Sequence, residues 1–325
     1  MLSLFRTNQA YAGLLLYVYA LVLQFPMLWL PASTLPVLPA HSYFGQLWLT
    51  WLGQSLGLGI LLPPVLVATA GVVANAVCIR YRFARVDTQF PGLMVVLLWA
   101  LCPAFHYPSP WLPTQLFLIL AAGALSSTYK SQTTAVARFN AGWWLGCASL
   151  FVPSFLLYVP CFILGISIFR TAQLRTILQL LGGIGTVYFL AGTYVFLRGD
   201  FAAWAEGQLS GIGWGTWLPD SPYVVLGAAA LLLPLAIVLA TNERGRLLLN
   251  IEGRKNVSFV YWLLLFTPLV AIFRPEVSWA GAQVGAVPLG IAFGLWLVRQ
   301  DAARAEFYHL LFFAAALTLL VVDLL

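Results

Sequence analysis

The sequence predicts an all-α, polytopic transmembrane helix bundle of about eleven spans, and three observations predict it. Hydrophobic residues make up 62% of the 325 positions and charged residues only 8%, against about 25% charged in an average soluble domain. A single water-facing core of this size could not hide so much apolar surface. Apolar runs of span length recur from end to end, and Lys and Arg punctuate those runs instead of clustering, which is how loop cations mark membrane topology. The chain therefore reads as one integral membrane domain over 1–325, without a globular appendage.

The elements follow in order. Arg6 precedes an apolar run over 11–30 that is too long for a secretory h-region, contains Gln24 and Pro26, and lacks an A-x-A site. It reads as an uncleaved first span. The segment 31–55 carries HSYFGQLWLTWLGQS, whose aromatics suit an interfacial helix. Spans are expected near 56–79, 92–105 and 111–127. The stretch 141–169 is bounded by Arg138 and Arg170 and interrupted by Pro153 and Pro160. It reads as a hairpin of two short helices, 141–152 and 154–169, each reaching only about 20 Å of a ~30 Å core. A span at 176–197 leads to a segment, 198–222, with Trp204, Trp214, Trp217 and several glycines. Tryptophan favours the headgroup level, so this segment reads as lying on the outer surface, as an aromatic belt or as a binding surface. The remaining spans are expected near 223–240, 257–273, 281–298 and 307–323. All must be helical, because lipid offers no partner for free backbone N–H and C=O groups, and barrel-type alternation is absent.

With the N-terminus cytoplasmic, this threading puts fourteen of the sixteen Lys and Arg residues on the inner side and only Arg198 and Arg274 outside. That asymmetry fits an inner-membrane protein obeying the positive-inside rule. Gly281 and Gly285, Gly290 and Gly294, and the cluster 182–185 suit close helix packing within the protein. Cys78, Cys102, Cys147 and Cys161 lie in apolar runs without metal-ligand spacing and read as buried small hydrophobes. The net charge of +6 forms no basic patch, which argues against nucleic acid.

Catalytic motifs are absent: there is no P-loop, G-x-S-x-G, H-E-x-x-H or dinucleotide fingerprint. His41, His106 and His309 fall short of a four-histidine iron site, so neither metal nor cofactor is expected. No span centre carries Asp, Glu, Lys or Arg, which counts against an ion-coupled transporter. The one constellation is the outer polar set of His41, His106, Arg198, Asp200, Glu206, Asp220, Arg274 and Glu276. Arginine grips phosphate bidentately. Arg198 and Arg274, with His106 and Glu276, are thus candidate substrate-binding residues, and His41 and Asp200 candidate catalytic bases. The same residues also read as solvated local pairs, Arg198 with Asp200 and Arg274 with Glu276. On the inner side, the mixed charges of 242–246 and 252–255 suit anionic headgroups or a docking partner.

The stretch 138–153, RFNAGWWLGCASLFVP, stands with LFRTNQ at 4–9, Asn75 and the AVPL of 286–289. Together they resemble an uncharacterised family of multi-pass inner-membrane proteins from Bacteroidota. More distantly, residues 1–200 are similar to GT-C glycosyltransferases. The shared order is a first span, an outer loop with interfacial helices, paired spans with Ser109-Pro110 at an outer turn, and a short helix with Gly142, Gly146 and Ser149. That resemblance implies an N-terminal helical module over 1–200 followed by C-terminal spans over 201–325. It also implies a polyprenyl-phosphate-linked substrate at the outer face. GT-C enzymes place an acid in the first outer loop, whereas 31–55 contains no Asp or Glu and only His41 and Tyr43 as titratable groups. Three readings follow: a membrane protein of envelope glycan or lipid metabolism; a non-catalytic scaffold of an envelope assembly or secretion complex; and a lipid or small-solute transporter. Membrane lipids are partners in each, and envelope proteins in the second.

Overall fold

The computed structural model describes residues 2–6, 9–29, 41–129, 134–247 and 249–324. Helix α1 (Ala10–Gln24) runs on as a 3-10 turn through Trp29, because Pro26 has no N–H to continue the α pattern. Helix α2 (Tyr43–Gly53) fills the aromatic segment and is capped by Ser42, whose Oγ accepts the Gly45 N–H at 3.0 Å. The part of the first outer loop before it, 30–40, lies outside the described residues. Next come α3 (Leu56–Arg80), α4 (Phe90–Ala100) and α5 (Trp111–Ser126). The hairpin is α6 (Thr134–Phe151), a 3-10 turn at Pro153–Tyr158, and α7 (Val159–Phe169). Then follow α8 (Leu174–Arg198), α9 (Phe201–Ser210), strand β1 (Thr216–Trp217), α10 (Pro222–Ala230) and α11 (Leu232–Leu247). The chain closes with α12 (Ile251–Ile272), β2 (Glu276–Val277), α13 (Gln283–Leu297) and α14 (Ala302–Leu324).

Every expected span is matched by helix. Seven helices are long and apolar enough to cross a membrane, and 11–27, 90–100 and 153–169 are shorter apolar ones. Several boundaries differ: α4 ends at 100 and not 105, α12 and α14 start at 251 and 302 and not 257 and 307, and two further differences have a clear physical cause. The expected span 223–240 is broken at Leu231, since Pro234 cannot donate to the carbonyl four residues back. And α6 starts seven residues before the expected 141, so Arg138 sits on a helix and not in a loop. Its Nη1 donates to Gln179 Oε1 at 3.1 Å, which carries the charge into the packed structure.

The centre is made by α4 and α13. Every residue of α4 is buried, as is nearly all of α13. Glycines let backbones meet: Gly290 lies on Val95, Gly294 on Pro91, and Gly71 on Gly92. The expected glycine pairs thus serve internal packing, with a refinement at 182–185. Gly183 faces the backbone of α6, while Gly182 and Gly185 have no atoms within 4 Å of an added Cβ. On α3 the buried Asn75 donates to Gln89 Oε1 and accepts from the Gly92 N–H, both at 2.6 Å. The peripheral helices turn Leu178, Phe189, Phe196, Leu232, Leu265, Phe307 and Leu310 outward. Apolar exposure on that scale suits lipid and not water.

Contacts between connecting segments gather at two ends of the bundle. Arg6 Nη2 donates to the Gln300 carbonyl at 2.8 Å, and the Gln89 N–H donates to the Phe5 carbonyl. At the opposite end the first outer loop meets 153, 207–217 and 274–279. These ends are named inner and outer after the expected topology.

Candidate functional site

At the outer end, three chain segments are pinned into one layer. Gly199 adopts a left-handed conformation (φ 84°) that ends α8 and turns the chain into α9. Gly207 of α9 lies against the His41 carbonyl, and Gly211 against the Pro153 ring. Farther on, β1 pairs with β2 in parallel, Thr216 beside Glu276 and Trp217 beside Val277. Gly215 is in such close contact with the Arg274 and Pro275 carbonyls that a Cβ would overlap them. Asp220 closes the next turn, accepting from Ser278 Oγ and from the Trp279 N–H, each at 2.7 Å. These contacts fix where Arg274 and Glu276 point.

Arg274 is only 7% exposed. Its guanidinium carbon stands 4.5 Å from the centre of the Trp111 ring, a geometry in which cation–π attraction is strongest when desolvated. Among the described residues no carboxylate lies within ion-pair distance of it. Burial pushes its pKa down to about 10, partly offset by Glu276 and Asp220. Glu276 goes elsewhere: its Oε2 lies 3.6 Å from His41 Nε2. That contact is too long for a hydrogen bond, and Nε2 has no other partner among the described residues. Burial lowers the His41 pKa first of all; Glu276 opposes this and Arg274 adds to it. His41 is therefore neutral at pH 7. His41, Trp111, Pro153, Gly211 and Arg274 line a recess of about 20 Å³, room for one or two waters.

The other sequence candidates lie apart from this recess. Asp200 occupies the position before α9 without a side-chain capping bond and accepts a hydrogen bond from Tyr43 Oη at 2.8 Å. Arg198 lies over the Tyr194 ring at 5.1 Å. Both are exposed, and both act electrostatically on Tyr43, which neighbours His41 along the chain. His106 is buried between α1 and α4. Its ring nitrogens stand 2.6 Å from Gln24 Oε1 and 3.1 Å from the Ala100 carbonyl, and Gln24 Nε2 donates to its backbone carbonyl. The two local ion pairs considered from sequence do not form: Glu276 reaches the first outer loop instead, and Asp200 takes Tyr43.

Two residues with roles here, Trp111 and Gln283, carried no sequence signal, and Asp220 stood in the outer polar set without an assigned role. Trp111 supplies the face under Arg274, Asp220 holds the 278–279 turn, and Gln283 accepts from Ser109 at 3.2 Å. The Ser109 carbonyl in turn accepts from Trp48 Nε1, so the expected Ser109-Pro110 turn is tied to α2 and α13. No group of three or more His, Cys, Asp or Glu that could hold a metal gathers among the described residues.

No protein-family model matches the chain, and no curated protein sequence matches it. Among solved structures it is similar to ArnT from Cupriavidus metallidurans bound to undecaprenyl phosphate. The TM-score is 0.54 at 15% identity, over 93% of this chain and 63% of that one. The scaffold is GT-C-like. At that identity the likeness concerns the fold, and this chain spans less than two thirds of the other's length.

Proposed function

We propose that the chain is a GT-C-like protein of cell-envelope glycan or lipid metabolism, set in the inner membrane with its N-terminus cytoplasmic. It would take a polyprenyl-phosphate-linked substrate at the outer face. The observation that carries this reading is Arg274: a buried cation, stacked on Trp111, without a carboxylate in ion-pair reach, beside a neutral histidine. A buried cation without a counter-charge is costly, and a phosphate group entering the recess would supply that charge, two of its oxygens accepting from the guanidinium. The solved structure of similar fold has undecaprenyl phosphate bound, which adds support for that class of ligand.

Glu276 bears on the acid missing from 31–55. It brings a carboxylate to His41 from a distant part of the chain. With a proton on Nε2 facing Glu276, Nδ1 is left to accept one. In a transfer reaction the acceptor O–H would lose its proton to His41 as its oxygen attacks the sugar's anomeric carbon. The anomeric C–O bond to phosphate would break, leaving polyprenyl phosphate with its charge against Arg274. Asp200 and Arg198, exposed beside Tyr43, would line the approach, and His106 would brace the bundle. The recess must widen to admit a sugar, which assigns the loops around Pro153 and Gly211 a gating movement.

Native mass spectrometry of the purified protein tests this reading. A retained polyprenyl-phosphate species, lost in Arg274→Gln, is the expected result. Absence of any such species in the wild-type protein, after purification in mild detergent with envelope lipids present, would overturn it and leave the scaffold reading.

A further inference from the structure

At the inner end, away from the recess, a polar groove of about 550 Å³ opens between the start of α6 and the α7–α8 connection. Arg138, Arg170, Arg175, Gln173, Thr176 and Gln179 line it, and among the described residues no carboxylate does. Loop arginines that obey the topology rule normally stay solvated. Arg138 does not: it is only 6% exposed. Its Nη1 donates to a neutral acceptor, Gln179 Oε1, and its Nε has no hydrogen-bond partner among the described residues. A buried cation held by a neutral amide is expensive unless an anion completes the site. Burial and the neighbouring Arg170 both lower its pKa, the sign of charge left uncompensated.

A second feature converges on the same groove. α8 is 25 residues long and begins at its edge, with Gln173 and Thr176 forming a reciprocal cap. The positive end of that helix dipole adds to the arginine field, and helix N-termini are general anion sites. On the same turns of α8, Leu174 and Leu178 are 73% and 56% exposed, and on the first turn of α6 Val136 is exposed as well. The groove therefore runs along the line where the lipid-facing surface meets the inner polar end.

We propose that this groove is a phosphate-binding site, shaped for a phosphodiester or diphosphate group and held by Arg138, Arg175 and the α8 N-terminus. Its volume is within the range of small-molecule sites and exceeds that of a single inorganic ion. The apolar rim of Leu174, Leu178 and Val136 favours the headgroup of an anionic lipid from the inner leaflet over a soluble phosphate.

The test uses the full chain, delipidated and placed in nanodiscs of phosphatidylcholine with or without phosphatidylglycerol. Lipid retention is read by native mass spectrometry and apparent Tm by tryptophan fluorescence. A parallel arm titrates inorganic phosphate and diphosphate into phosphatidylcholine nanodiscs. The expected result is phosphatidylglycerol retained by the wild type with a raised apparent Tm, and at least tenfold weaker retention in Arg175→Gln, whose exposed side chain can be changed without disturbing packing. Arg138→Gln should show the same loss if it folds. Arg304→Gln, an exposed arginine beside Asp301, is the control and should retain the lipid. Stabilisation by diphosphate but not by phosphatidylglycerol would uphold the phosphate site and assign it to a soluble ligand. Failure of both probes on the wild type, or equal loss in Arg304→Gln and Arg175→Gln, would overturn the proposal.

Discussion

Two adjacent glycines on α8 should respond in opposite ways to the same small change. Gly183 faces α6 at the point where the two backbones cross. A Cβ there would overlap the Phe139 carbonyl oxygen and lie 2.7 Å from the Trp143 nitrogen. These are backbone atoms and cannot swing aside, so the helices must part by about 1 Å at the crossing. A radial gap of that size forfeits a quarter to a half of each dispersion contact along the seam, which here includes the fully buried Ala141, Leu145 and Leu180. Overpacking of this kind costs about 1–3 kcal/mol, and Gly183→Ala should fall near the top of that range because Gly142 meets the Leu180 carbonyl just beside it. Gly182 has nothing within 4 Å. Gly182→Ala should be neutral or stabilising by up to about 1 kcal/mol through helix propensity. Thermal unfolding in one detergent, followed by tryptophan fluorescence, measures both. Gly183→Ala should lower the apparent Tm by roughly 4 °C or more, with Gly182→Ala unchanged or higher. Equal shifts in the two variants would refute the reading of α6 and α8 as a backbone-to-backbone crossing.

Three further outcomes are expected. His106 is held neutral by burial with a pKa lowered to about 4, against ~6.5 in the unfolded chain. The unfolded chain binds the proton first, so stability is fully present above pH ~6.5. It should fall on acidification towards pH 4 by on the order of 3 kcal/mol, with His106→Gln giving a flatter acid profile in chemical or thermal unfolding. Asn75→Leu would remove the bond to Gln89 Oε1, leave the Gly92 N–H unmet and crowd the Gly71–Gly92 contact. A loss of about 2–4 kcal/mol is expected from the lost hydrogen bonds and overpacking, read as a lower apparent Tm. In the lipid-retention assay, Arg274→Gln should lose bound polyprenyl phosphate while Arg198→Gln keeps most of it. Arg274 is buried against Trp111, and Arg198 is exposed over Tyr194, where water screens its charge.

The candidate site was legible in its parts and not in its assembly. Arg198 and Arg274 stood out as the two cations that the topology excludes from the inner side. Reading Glu276 as the local partner of Arg274 followed sequence distance, and the β1–β2 pairing turns its carboxylate to His41 instead. His106 shared the outer side with the other candidates on the expected threading. Its side chain points inward because Gln24, at the end of α1, offers a buried amide to bind it. Arg138 looked like one more loop cation, and only the early start of α6 and the acceptor on Gln179 draw it into the structure.

What the sequence by itself determined is the class of fold and the stretches of chain in which the long apolar helices lie. Lipid makes those properties local: each span must satisfy its own backbone and carry its own apolar length, so the constraint is written in consecutive residues. Tertiary structure alone decided which glycine of 182–185 meets a neighbour, which acid reaches His41, and which arginine is buried without a counter-charge. Those outcomes depend on helices packing by shape against partners far along the chain. Lipid is as apolar as the side chains it touches, so no hydrophobic pattern distinguishes a face that meets protein from one that meets the bilayer.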